Sequence, residues 1–120
     1  MKKHILVVDD QPGIRFLLDE VFTNEGYQIT TASTGKEALD EIHAGSFALI
    51  LLDFKLPVVD GLEVLRRMEE ENINIPAILM SGLAEEISKV GESCALVKHI
   101  LAKPFNIMEV CKIVNDIIEE

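Results

Sequence analysis

Five side chains in this sequence are of types that can do chemistry together: Asp9, Asp10, Asp53, Ser81 and Lys103. Each sits at or just beyond the end of a short apolar run. Asp9-Asp10 follow Ile5-Leu6-Val7-Val8, Asp53 follows Ala48 to Leu52, Ser81 follows Ala77 to Met80, and Lys103-Pro104 come after Val97 to Leu101. Singly they say little. An Asp-Asp pair often caps a helix or lines a solvated turn, a serine after a strand is an ordinary turn residue, and Lys-Pro is a common loop step. Asp53 is the stronger signal, because a carboxylate ending a five-residue apolar run is costly unless it is paired or bound.

Together they define a chemistry. Like charges a few ångströms apart repel by roughly 1 kcal/mol in water and about 4 kcal/mol near a protein surface. Three carboxylates in one pocket therefore raise each other's pKa or capture a cation. A hard divalent ion such as Mg²⁺ (or Mn²⁺) meets that need, and Mg²⁺ keeps waters and shares its shell with phosphate. The ion offsets the repulsion between a carboxylate and an approaching phosphoryl group. Lys103 can then hold one phosphoryl oxygen and the Ser81 hydroxyl another. Attack by a carboxylate gives an acyl phosphate.

The elements that must position these groups alternate along the chain. The wholly apolar runs at Ile5–Val8, Ala48–Leu52 and Ala77–Met80 suit strands covered on both faces; Tyr27–Ala32 and Val97–Leu101 are weaker strand candidates. Between them lie helical stripes. Ile14, Leu17, Leu18, Val21 and Phe22 form one, stopped by Gly26 as a C-terminal cap. Thr34 with Glu37 and Asp60 with Glu63 read as capping boxes, opening helices through Ala38, Leu39 and Ile42 and through Leu62, Leu65 and Met68. Asn106 caps a last helix carrying Ile107, Val110, Cys111, Val114, Ile117 and Ile118; Leu83 to Ser93 is a fourth, poorly patterned helix. Five strand-then-helix units predict a doubly wound α/β fold, a five-stranded parallel sheet with five helices and right-handed crossovers. Ligands of such folds bind beyond the carboxyl ends of the strands, the rim to which four separate strands deliver the five side chains.

Asp9-Asp10, Asp53, Ser81 and Lys103-Pro104, with Pro57 and Gly61 after Asp53, resemble the receiver domain of bacterial two-component response regulators over essentially the whole chain. The resemblance implies the flavodoxin-like strand order 2-1-3-4-5. It also implies Asp53 as phosphoacceptor, Asp10 as a direct metal ligand, Asp9 as a ligand directly or through water, and the backbone carbonyl of Lys55 as a third protein ligand. Ser81 becomes the switch hydroxyl and Lys103 the phosphate-binding cation. The stretch from Val8 to Arg15, Asn24-Glu25-Gly26-Tyr27 and Ala102-Lys103-Pro104-Phe105 are similar to the single-domain regulators of Bacillus-type sporulation phosphorelays. That likeness, thin between Leu83 and His99, implies a sensor histidine kinase as donor and a histidine phosphotransferase as acceptor.

Some positions depart from the receiver pattern. Ile100 stands where many receivers carry a switch aromatic, Leu96-Val97 replaces a Gly-Ala step, and Ser81 replaces the more frequent threonine. Lys55 is either an exposed lysine without a role or a cation that obstructs water beside the acyl phosphate. Phe16 points nearly opposite the apolar stripe of its helix. With the phosphorelay likeness, this predicts a partner-docking surface of Gln11, Gly13, Ile14, Leu17, Pro104 and Phe105, Phe16 being a weaker member.

Composition narrows the partners. A formal net charge of −10, from 21 acidic and 11 basic residues among 120, repels nucleic acid and anionic membranes. No apolar run reaches the length of a membrane span or signal peptide. Cys94 and Cys111 lack metal or CxxC spacing and read as two buried thiols of a cytoplasmic protein. His4, His43 and His99 have no metal spacing, Glu69-Glu70-Glu71 reads as a solvated helix end, and Gly35-Lys36 as a turn and helix start rather than a P-loop. The expectation is one receiver domain over residues 1–120, monomeric and without an output domain. It assists its own phosphorylation as a transfer intermediate rather than turning over an external substrate. A chemotaxis-like receiver that binds an effector without onward transfer is the alternative. A phosphatase with an Asp nucleophile is disfavoured because position 55 is lysine where a general acid is needed. A flavin protein is disfavoured because Asp9-Asp10 would repel the cofactor phosphate.

Overall fold

The computed structural model describes residues 2–82 and 94–119. Five strands, β1 (His4–Val8), β2 (Gln28–Ala32), β3 (Leu49–Asp53), β4 (Ala77–Ser81) and β5 (Val97–Ala102), form one parallel sheet in the order β2-β1-β3-β4-β5. Four helices are described: α1 (Pro12–Asn24), α2 (Gly35–Ala44), α3 (Gly61–Glu70) and α4 (Ile107–Glu119). The helix expected from Leu83 to Ser93 lies outside the described residues.

The strands form where the apolar runs stand because both faces of each central strand are covered. Leu6, Val8, Ile50, Leu52, Ala77 and Leu79 point into the core beneath α2 and α3. Their neighbours Ile5, Val7, Leu49, Leu51, Ile78 and Met80 point the other way, against α1 and α4. This period-two alternation splits one continuous apolar run between two cores. Each fully buried Leu or Ile contributes roughly 2 kcal/mol relative to an exposed one, so β1, β3 and β4 anchor the rim at their ends. The edge strands β2 and β5 carry exposed residues such as Gln28, Lys98 and His99, which weakened their pattern in the sequence.

The helix starts follow the caps. Thr34 accepts from the Glu37 amide at 3.0 Å, Asp60 from the Glu63 amide at 2.9 Å, and Asn106 from the Met108 amide at 2.9 Å. Neither capping box closes reciprocally: Glu37 turns to the Ser33 hydroxyl, and Glu63 to Arg66 and Arg67. Gly26 follows α1 at φ +97, the left-handed conformation that ends a helix cheaply only for glycine.

Two positions of the expected apolar stripes face solvent. Leu17 is 41% exposed and Leu62 43%, whereas Val64 fills the α3 stripe with Leu65 and Met68. In each helix the apolar stripe is wider than the strip the sheet covers. Cys94 is buried, but Cys111 is only half-buried. The Glu69–Glu71 helix end is exposed as expected, with Glu70 paired to Arg66 and Glu71 to His43.

Candidate functional site

At the carboxyl edge of the sheet the backbone brings the predicted groups together. The amide of Phe54 donates to Met80 O at 2.9 Å and that of Lys103 to Ser81 O at 2.8 Å, so the ends of β3, β4 and β5 are stitched in series. Asp9, immediately after β1, donates its amide to Ala32 O at 3.1 Å, tying in β2. Asp9, Asp53 and Ser81 are buried, 0%, 5% and 3% exposed, while Asp10 is exposed.

The three aspartates each offer a carboxylate oxygen within 4.8 Å of the others. Lys103 Nζ lies 2.7 Å from Asp9 Oδ2 and 3.5 Å from Asp53 Oδ2, and Asp9 Oδ1 accepts from the Gln11 amide at 2.9 Å. Burial pushes the Asp53 carboxyl up to about 6. The negative charges of Asp9 and Asp10 add to that rise, while Lys103 and a hydrogen bond from the Lys55 backbone oppose it. A buried acid with so raised a pKa, crowded by two further carboxylates and only partly offset by one ammonium, is a donor set suited to a hard divalent cation.

The surroundings are a cleft of about 320 Å³ lined by Asp10, Gln11, Asp53, Lys55, Ser81, Gly82 and Lys103. A larger hollow of about 660 Å³ lies between α1 and α4, away from these acids. The chemistry, rather than the size, marks the functional cleft.

Glycine makes the cleft possible. A Cβ at Gly61, the first residue of α3, would lie 2.7 Å from Asp53 O, and one at Gly35, the first residue of α2, 2.0 Å from Val59 O. Between them the loop turns sharply: Val59 N donates to Pro57 O at 2.8 Å around Val58, whose φ is +65 and whose side chain is fully exposed. That conformation is strained for a β-branched residue. The Lys103–Pro104 peptide is cis.

Of the expected docking residues, Gln11, Gly13, Leu17 and Pro104 are exposed, and Phe16 is 71% exposed. Ile14 and Phe105 are half-buried and pack against the core beneath α1 and α4. Gln11 lines the β1–α1 side of the cleft, and Pro104 follows Lys103 on the β5 side. Sequence reasoning missed Arg15, whose Nη1 donates to Asp9 O at 2.7 Å. Its only sequence signal was an arginine one turn into the helix that follows the acidic pair.

Comparison with known proteins agrees with this architecture. Residues 5–115 match the family model described as "Response regulator receiver domain". Sporulation initiation phosphotransferase F of Bacillus subtilis is 43% identical over 111 residues, 92% of this chain and 89% of that protein. The alkaline phosphatase synthesis transcriptional regulatory protein PhoP of the same organism is 36% identical, and there the chain spans less than half of the relative's length, 46%. Among solved structures, response regulator TrrA of Thermotoga maritima in complex with Mg²⁺-BeF superposes with a TM-score of 0.85 at 36% identity, covering 96% of this chain and 98% of that one. A Francisella response regulator receiver domain gives 0.90 at 31% identity, covering 98% of each chain.

Proposed function

The chain belongs to the response regulator receiver domain family, and on that premise we propose that it carries a phosphoryl group on Asp53 and relays it between histidines. One observation carries the reading: Asp9, Asp10 and Asp53 converge within 4.8 Å on one sheet edge, with the Lys103 ammonium among them. Similarity to sporulation initiation phosphotransferase F supports the relay role, and the Mg²⁺-BeF complex of the Thermotoga relative supports the ion.

Asp53, Asp9 and Asp10, with the Lys55 carbonyl, would hold Mg²⁺. Bound there, the ion supplies positive charge against which a phosphoryl group can approach a carboxylate. Asp53 ionises, and its oxygen attacks phosphorus as the bond to the donor imidazole breaks. The imidazole leaves with its electron pair and takes a proton from solvent. Lys103 turns from Asp9 toward a phosphoryl oxygen, and Ser81, at the end of the adjacent strand, offers its hydroxyl to another. Onward transfer reverses these steps toward a second histidine. Docking of both partners falls to the face around Gln11, Gly13, Leu17 and Pro104.

Labelling by a small phosphodonor, with and without Mg²⁺, tests the core of this. The parent chain should label only with Mg²⁺, and Asp53→Asn not at all. Mixing the labelled chain with a histidine phosphotransferase tests the relay: label should leave Asp53 for the histidine. Label retained on Asp53 would instead favour a receiver that acts by binding an effector.

A further inference from the structure

The junction between β1 and α1 is held by a cation with no part in the phosphoryl chemistry above. Arg15 is half-buried in α1, and its Nη1 donates to the backbone carbonyl of Asp9 at 2.7 Å. Asp9 is thereby fixed at every polar atom: its amide donates to Ala32 O at 3.1 Å, Oδ1 accepts from the Gln11 amide at 2.9 Å, and Oδ2 accepts from Lys103 at 2.7 Å. Asp10 is held differently. It is exposed, and its carboxylate accepts no hydrogen bond among the described residues. Its placement depends on the backbone that carries it.

The carbonyl gripped by Arg15 belongs to the planar peptide that joins Asp9 to Asp10. Rotation of that plane about the Asp9 Cα–C bond would swing the Asp10 Cα and its carboxylate relative to Asp9 and Asp53. We propose that Arg15 is a positioning residue for the metal-binding acids, locking the Asp9–Asp10 peptide so that Asp10 faces the other two carboxylates. The inference rests on the metal-dependent reading of the site.

Charge alone predicts the opposite outcome, which makes the idea testable. Removing a cation beside an acidic pocket should tighten Mg²⁺ binding through space; releasing the peptide should weaken it. Calorimetric titration of Mg²⁺ into the metal-free full chain should show Arg15→Met binding ~10-fold more weakly, the scale seen when outer partners of metal ligands are lost. Arg15→Lys, which restores a donor but not the planar fork, should recover part of the loss. The Mg²⁺ concentration for half-maximal labelling by a small phosphodonor should rise in the same ratio, with the maximal rate falling far less. Arg15→Gln, too short to reach the carbonyl, carries the same expectation should Arg15→Met not fold. Parental or tighter Mg²⁺ binding in a folded Arg15→Met or Arg15→Gln overturns the inference. A parent chain that binds no Mg²⁺, like its Asp10→Asn variant, overturns the metal reading itself and this inference with it.

Discussion

Lys103 stands closer to Asp9 than to Asp53, its ammonium 2.7 Å from Asp9 Oδ2 and 3.5 Å from Asp53 Oδ2. Without a bound ion, the lysine is the counter-charge of a fully buried acid. Lys103→Met should therefore cost about 3 kcal/mol of stability in chelator, the low end for stranding one partner of a buried pair. Millimolar Mg²⁺ should restore most of it, because the ion takes over the neutralisation. Urea unfolding with and without Mg²⁺ measures both. An equal loss under the two conditions would show that metal and lysine do not share Asp9.

Asp53 carries a pH signature. Its folded pKa of about 6 lies above the ordinary 3.8, so between those values the folded state binds the proton more tightly than the unfolded chain. Stability contributed by this group is complete below 3.8, falls as pH rises through about 6, and leaves ionised Asp53 as a liability at neutral pH. In chelator at pH 7, Asp53→Asn should melt a few degrees above the parent, and the gap should close as the pH is lowered to about 4. A gap that is constant across that range would contradict the raised pKa.

Val58 stores strain beside the cleft. With φ at +65 and its side chain in solvent, it gains nothing from packing that a smaller residue would lose. Val58→Gly should raise stability by about 0.5–1 kcal/mol, the relief of left-handed strain less the extra entropy of glycine. The midpoint of urea unfolding reads it directly.

Lys55 lies exposed on the wall of the cleft that also holds Asp53. Its side chain should shield the acyl phosphate from water, so phospho-Asp53 in Lys55→Ala should lose its label several-fold faster. An unchanged half-life reduces Lys55 to its backbone.

Docking and chemistry should separate at Leu17. The residue is 41% exposed on α1 and does not line the acidic cleft. Leu17→Glu should slow phosphoryl transfer from a histidine kinase by roughly tenfold, the effect of losing one modest hot spot. Labelling by a small phosphodonor should continue at the parental rate. Parallel losses in both assays would place the defect in the fold.

The central strands and the five rim residues were legible because their signal is local. A wholly apolar run needs cover on two faces, and an acid that ends it needs a partner. Leu17 and Leu62 lie on the apolar stripes of their helices yet face solvent, because periodicity marks the stripe but not how much of it the sheet covers. The Lys103–Asp9 pairing was invisible because it joins residues 94 positions apart, and spacing alone placed the lysine only on the same rim. Val58 gave no warning, since valine carries no preference for the left-handed region, and Arg15 none, since its partner is a backbone carbonyl.

Gly35 has one more implication. It lies far from Asp53 in sequence and bears no functional group, yet a methyl group there would collide with the Val59 carbonyl in the loop that follows β3. In a random mutational screen scored by phosphorylation, Gly35 should register alongside the aspartates and the lysine. Such a score would report the shape of a neighbouring backbone rather than a participant in the reaction, so screens of this chain need a parallel reporter of foldedness to keep the two apart.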